Sequence, residues 1–225
     1  MARNDHQFRR LAAGEDRTTI MNLSNKLTVS RIAIVPFFLV ALTPTSFGLP
    51  ESWQPTMRLL ALVMFIGASV TDYYDGALAR RYGWSTNFGK LMDPLADKVL
   101  IMAAFVGMVQ LELFPAWMVI LILAREFLIT GLRQLAMGEG RVLAADRWGK
   151  NKTIVQVTTV ITALVFLAAR DWLDVFGIWE RVIVRQWEIA WIFTATLRGM
   201  MLFCVVLTIY SGWRYYRANR DILRE

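Results

Sequence analysis

The sequence predicts an all-α integral membrane protein: six transmembrane helices with a short N-terminal interfacial helix. Three observations predict it. The 225 residues are 56% hydrophobic, with a mean hydropathy of +0.42, more apolar than a typical soluble domain. Six stretches supply the mostly apolar run, roughly 20 residues long, that a spanning helix needs: 32–49, 57–79, 89–111, 115–137, 153–169 and 190–212. Lysine and arginine also gather in alternate connections, as the orientation rule for membrane helices requires.

Taken in order, residues 1–20 are too charged for a signal peptide, which needs an apolar core after its basic start. They are expected to be a mobile cytoplasmic tail, ahead of a membrane domain at 21–215 and a basic cytoplasmic tail at 216–225. Arg9, Arg10, Arg17, Lys26 and Arg31 precede the first span, and Arg80, Arg81 and Lys90 join the second to the third. Arg133, Arg141, Arg147, Lys150 and Lys152 surround the join of the fourth and fifth, and Arg214, Arg217, Arg220 and Arg224 follow the sixth. By contrast, Glu51 is the only charge in 42–57, and no base flanks Glu112 in the next turn on that side. This asymmetry predicts a multi-pass protein of the inner (cytoplasmic) membrane with both termini in the cytoplasm. The net charge of +7 follows the topology. It suits anionic lipid headgroups, and no nucleic acid is expected as a partner.

On the outer side, Trp53, Trp117, Trp172, Trp179, Trp187 and Trp191 form an aromatic belt. Residues 171–189 alternate charge with bulky apolar groups and are expected to be a short helix in the outer interface. Cys204 is the one cysteine, so no internal disulfide forms, and a small buried or lipid-facing residue is its expected role. His6, the lone histidine, carries no assignment. There is no internal repeat.

The chemistry concentrates in "TDYYDGALARRYGWSTNFGKLMDPLAD", Thr71 to Asp97. Asp72, Asp75, Gly76 and Ala79 recur at i, i+3, i+4 and i+7, one face at the cytoplasmic end of the second span. Gly89, Asp93 and Asp97 recur every four residues at the start of the third. Two antiparallel helices on a short loop bring four carboxylates together, and their repulsion calls for one or two divalent cations. Carboxylate oxygens suit Mg²⁺ or Mn²⁺, and the lack of a nearby His or Cys argues against structural zinc. Two metals on shared carboxylates suit in-line displacement at phosphorus. Gly76, Ala79 and Gly89 leave room for a bulky ligand at the backbone, and Arg80 offers a forked phosphate donor at the rim. Solvated charges at helix ends are the plainer alternative. Four acids on two facing stripes favour the functional one.

The pattern Asp72-x₂-Asp75-Gly76-x₂-Ala79-Arg80-x₈-Gly89-x₃-Asp93-x₃-Asp97 resembles the signature of the CDP-alcohol phosphotransferase family at every defined position. The resemblance implies six transmembrane helices, a two-metal site, and attack of a hydroxyl on the diphosphate of a CDP-linked substrate with release of CMP. It also implies that Asp72, Asp75, Asp93 and Asp97 bind metal and that Asp97 is the base.

Flanking residues bear on the substrates. Asn25, Thr28 and Arg31 share one helical face before the first span. They are either an interfacial helix or a polar wall for the CDP-lipid, to which Gly76, Ala79, Arg80 and Gly89 also belong. Arg125 and Glu126 fall near the middle of the fourth span, where an unpartnered charge costs roughly 2.5–3.5 kcal/mol. They either pair with another span or open a polar pocket. With Arg133, Lys150, Lys152 and Thr153, and with Gln156 one turn deeper, that pocket would hold a phosphate dianion. The basic run alone could equally be a topology-setting loop. Both stretches resemble the phosphatidylglycerophosphate synthase branch of the family, with Ser24 where that branch usually has Pro. This resemblance implies glycerol 3-phosphate as acceptor, bound by Arg125, Arg133, Lys150, Lys152 and Thr153, and CDP-diacylglycerol as donor. Membrane lipids and a homodimer complete the expected partners. A cardiolipin synthase of the same family would have less use for the basic cluster. A cation transporter would be expected to show internal repeats or broken helices, and this chain has neither.

Overall fold

A computed structural model describes Ser30 and residues 32–82, 87–138, 147–178 and 186–218, with the side chains at 72–82, 87–97, 135, 137–138, 147–151, 186–190 and 218 left undescribed. The expected N-terminal tail, the interfacial helix and most of the C-terminal tail lie outside the described residues. Every long described element is an α-helix, and no strand occurs among the described residues. The helices are α1 (Ile32–Leu42), α2 (Gln54–Tyr82), α3 (Asn87–Gln110), α4 (Ala116–Gly138), α5 (Arg147–Val175) and α6 (Gln186–Ala218). Each predicted span thus has its helix. Among the described residues, Glu51–Thr71, Lys152–Val175 and Trp191–Arg217 are long and apolar enough to cross a membrane, and Ile32–Leu42 and Lys98–Gln110 are shorter apolar helices.

The boundaries follow from local chemistry, and one corrects a sequence expectation. The first span was expected to reach residue 49, but α1 stops at Leu42. Thr43 precedes Pro44, a position that disfavours the α conformation, and adopts φ −125°, ψ 58°. A 3₁₀ turn, Pro44–Phe47, follows and closes on Gly48 at φ 76°. The segment 171–189, expected to be an interfacial helix, is described only at its ends, and residues 179–185 lie outside the described residues. Its first residues continue α5 to Val175, and residues 186–189 open α6. An α-helical backbone bonds internally whatever its side chains, so polar residues at a membrane surface extend a helix as readily as end it. The described part of the α5 exit is capped by Gly177, whose φ of 63° costs a glycine little and whose N–H donates to Asp174 O at 2.9 Å. The turn after α3 places Glu112 at φ 58°, with Leu113 N–H returning to Met108 O at 3.0 Å.

Two compact units make up the chain: Met1–Phe38 with Val63–Leu100, and Leu39–Leu62 with Ile101–Glu225. In the first, Phe38 and Phe65 are fully buried with ring centroids 5.9 Å apart. In the second, α6 packs on both α4 and α5. Ile122 of α4, Val160 and Leu164 of α5, and Leu197 and Met201 of α6 are buried there. Gly107 of α3 faces Leu42, and a Cβ at 107 would fall 2.6 Å from Leu42 Cδ2, so only glycine fits without a shift. Val63, Phe127, Ile154, Trp191, Phe203 and Trp213 are each more than half exposed. Large apolar side chains facing outward on long helices are what lipid contact requires.

Candidate active site

The four acids of the motif lie on two consecutive helices. Asp72 and Asp75 belong to α2, and Asp93 and Asp97 to α3. Residues 83–86 join the helices, so the ends of α2 and α3 stand within about 18 Å over five Cα–Cα steps. Both acidic segments fall within one compact unit. The helical spacing therefore stands: Asp72, Asp75, Gly76 and Ala79 share a stripe of α2, and Gly89, Asp93 and Asp97 a stripe of α3. Their side chains, and that of Arg80, lie outside the described residues. Asn25, Thr28 and Arg31 lie wholly outside them. Oxygen-only donors of this kind fit a hard divalent cation, and no cluster of three acidic, histidine or cysteine side chains competes among the described residues.

The charges at the centre of α4 are partnered. Glu126 is 7% exposed and accepts a hydrogen bond from Lys152 Nζ of α5, itself 4% exposed. Arg125 Nη1 donates to the same Glu126 Oε1 at 3.3 Å, and its Nη2 donates to Ser211 Oγ of α6 at 2.9 Å. Ser211 in turn donates to Thr208 O at 3.2 Å, so its hydroxyl both accepts and donates. Two cations thus meet on one carboxylate, in a contact that joins three helices. This satisfies the electrostatic demand that a buried ion be paired and hydrogen-bonded.

Sequence reasoning anticipated that Arg125 and Glu126 either pair with another span or open a polar pocket, and it placed Lys152 in that pocket as a phosphate ligand, but it identified neither Lys152 as the partner of Glu126 nor Ser211 and its neighbour Gly212. A Cβ at Gly212 would sit 3.2 Å from Arg125 Cγ, so the missing side chain lets the guanidinium cross to α6. The readable signal was the small Ser-Gly pair inside a span, where small residues let helices approach closely. Of the other residues expected to bind the acceptor phosphate, Arg133 and Thr153 are exposed. Lys150 lies in the first turn of α5 with its side chain outside the described residues. Gln156 is buried one turn beyond Lys152.

A second buried ion pair was not anticipated. Arg58 Nη1 of α2 donates to both carboxylate oxygens of Asp171 on α5, at 3.0 and 2.8 Å, with side chains 4% and 6% exposed. Arg170 Nη2 donates to Asp171 Oδ1 at 3.0 Å.

Comparison with known proteins agrees with this arrangement. Residues 21–187 match the sequence profile of the CDP-alcohol phosphatidyltransferase family. A Bacillus subtilis (strain 168) protein named CDP-diacylglycerol–glycerol-3-phosphate 3-phosphatidyltransferase is 39% identical over 210 residues, covering 91% of this chain and 98% of its own. A Shigella flexneri serotype 5b protein of the same name is 37% identical over 213 residues, covering 91% and 98%. A probable phosphatidylglycerophosphate synthase of Mycobacterium tuberculosis (strain H37Rv) is 42% identical over 144 residues, covering 64% and 66%. With a profile match over most of its length and two relatives aligned almost end to end, the chain belongs to the CDP-alcohol phosphatidyltransferase family.

Proposed function

We propose that this enzyme transfers the phosphatidyl group of CDP-diacylglycerol to glycerol 3-phosphate, giving phosphatidylglycerophosphate and CMP. The observation that carries the reading is the complete Asp72–Asp97 motif on the adjoining ends of α2 and α3, in a chain whose near full-length relatives bear the name of that reaction. The active site faces the cytoplasm with both termini, because the basic connections all fall on that side.

The acyl chains of CDP-diacylglycerol stay in the bilayer, and its diphosphate lies over the carboxylate cluster. Asp72, Asp75, Asp93 and Asp97 would hold two Mg²⁺ or Mn²⁺ ions, which when bound offset the charge that builds on the departing CMP phosphate. Asp97 takes the proton of the acceptor's primary hydroxyl. The freed oxygen bonds to the lipid-linked phosphorus, the bond to the CMP phosphate breaks, and its electron pair leaves with CMP. Asn25, Thr28, Arg31, Gly76, Ala79, Arg80 and Gly89 seat the CDP-lipid. Arg125, Arg133, Lys150, Lys152 and Thr153 read the acceptor phosphate. Positioning and electrostatics supply most of the rate in such a transfer.

The test is CMP release from CDP-diacylglycerol by purified protein over a panel of alcohols. Glycerol 3-phosphate is expected to be the efficient acceptor, and release is expected to stop in excess chelator and return with added Mg²⁺ or Mn²⁺. Full activity in excess chelator would remove the metal from the scheme. A preference for phosphatidylglycerol over glycerol 3-phosphate would convert the reading to cardiolipin synthesis.

A two-substrate kinetic matrix tests the residue roles. Arg133→Ala is expected to raise the KM for glycerol 3-phosphate about ten- to a hundredfold, the effect of losing one charge-assisted bond. The KM for CDP-diacylglycerol should stay nearly constant. Thr28→Ala is expected to do the reverse. Arg133 is the cleaner probe than Lys152, because its side chain is exposed, whereas truncating Lys152 would strand buried Glu126. Equal weakening of both substrates by Arg133→Ala would reassign that residue to topology.

A further inference from the structure

α5 and α6 run antiparallel and are tied by pairs of contacts. Phe166 stacks on Phe193 with ring centroids 3.4 Å apart, and Thr159 Oγ1 lies 3.6 Å from Cys204 Sγ. Seven residues before Thr159 is Lys152, and seven after Cys204 is Ser211, the two ends of the charged bridge through Glu126 and Arg125. The interval between these two rungs holds one buried polar residue on each helix, at the same level. On α5 it is Gln156, 4% exposed, and on α6 it is Thr208, fully buried. Gln156 Nε2 and Thr208 Oγ1 have no hydrogen-bond partner among the described residues.

Thr208 differs from four other helical threonines. Thr71, Thr159, Thr162 and Thr196 each donate to the carbonyl four residues back, at 2.8 Å. That bond is the ordinary way for a hydroxyl to be satisfied inside a membrane helix. Thr208 makes no such bond, so its hydroxyl is turned away from its own backbone. An amide N–H donor and a hydroxyl, each buried without a partner, are costly to leave in an apolar interior. They are at no cost if a third group bonds both. That group must accept from an amide and exchange a hydrogen bond with a hydroxyl. It must also be small, because both groups are buried. A hydroxyl meets each condition.

We propose that Gln156 and Thr208 form a buried seat for one hydroxyl-bearing guest at the inner end of the Arg125–Glu126–Lys152 bridge. The guest is either a resident water, of the kind that satisfies buried polar groups in most proteins, or the free hydroxyl of the acceptor. The second source rests on the glycerol 3-phosphate reading, and the first does not.

The experiment uses the full chain in detergent, with Thr208→Val and Gln156→Met as near-isosteric variants that lack the hydrogen-bonding groups. Melting temperature is measured without acceptor, and CMP release is measured with glycerol 3-phosphate and with 3-hydroxypropyl phosphate, which lacks the secondary hydroxyl. A fall of about 2–4 °C for either variant without acceptor identifies a resident water, one lost hydrogen bond being the expected scale. An unchanged melting temperature with a roughly tenfold rise in KM for glycerol 3-phosphate alone identifies the acceptor hydroxyl. In that case the variants lose the wild-type preference over 3-hydroxypropyl phosphate. A melting temperature that holds or rises, with kinetics and preference unchanged, overturns the seat, because truly unpartnered groups are better replaced by methyls. Failure of every acceptor to release CMP would sink the proposed reaction while leaving the melting result to decide the water.

Discussion

Asp97→Asn is expected to reduce CMP release by about 10²–10⁴-fold, the usual contribution of a positioned general base, while the protein stays folded. The amide is nearly isosteric with the carboxylate but cannot take the proton of the attacking hydroxyl. It also carries no charge, so one ligand oxygen is weakened at the same time. These two losses separate by experiment. Weakened metal binding is recovered by raising the concentration of Mg²⁺ or Mn²⁺, and loss of the base is not. The pH profile gives a second handle: the acid limb that reports the base in the parent enzyme should flatten in the variant. Near-normal CMP release from Asp97→Asn at saturating metal would take the base role away from Asp97 and leave it as a ligand alone.

The neighbouring acids should respond differently. Asp72, Asp75 and Asp93 enter the scheme as ligands, so their asparagine variants are expected to shift the metal dependence first. In the proposed scheme Arg125 and Lys152 would bind in a different way from Arg133. The former are held by Glu126 and Ser211, so their heads are oriented before any acceptor arrives. Such preorganisation lowers the ordering cost of binding. It also means that their substitution combines a binding effect with a folding effect, whereas Arg133 reports binding alone.

Much of this was legible in the sequence, and the parts that were not share a cause. All six helices are visible as apolar runs, and the motif acids fall on α2 and α3 at the spacing read from the chain. Lengths were misread where apolarity and hydrogen bonding part company. α5 has 29 residues, about 43 Å at 1.5 Å per residue, against a hydrocarbon core of about 30 Å. Its ends must therefore be polar, and an apolar run marks only its middle. The stop of α1 was in the sequence as Thr43-Pro44 and was overridden by the apolar pattern around it. Arg125 and Glu126 announced by their depth that they needed partners. That one partner is Ser211, 86 residues on, is a tertiary fact no local period encodes. Asp171 is the clearest case. By position it belonged with the charges of an outer surface segment, yet it is 6% exposed and bonded to an arginine 113 residues earlier.

That buried pair should be among the most sensitive points of the fold outside the active site. Asp171→Ala is expected to destabilise the protein by about 3–5 kcal/mol, because it leaves the Arg58 guanidinium buried without its carboxylate. The pair links α2 to α5, and the shorter nitrogen–oxygen distance, 2.8 Å, is that of a strong charge-assisted bond. Arg170, which also reaches Asp171, is well exposed and can turn to solvent, so Arg170→Ala should cost little, in the 0–1 kcal/mol range of surface pairs. The double variant Arg58→Met/Asp171→Leu discriminates a buried-charge penalty from a packing defect. With both ions gone no charge is stranded, and apolar side chains of similar size often replace such a pair without loss. The double variant should therefore recover most of the stability that Asp171→Ala loses. Melting in detergent measures all three. A double variant as unstable as the single would show that shape at this helix crossing, rather than charge, is what Asp171 supplies. In either case the folded fraction of each variant should keep the parent KM values, because neither residue belongs to the proposed substrate sites.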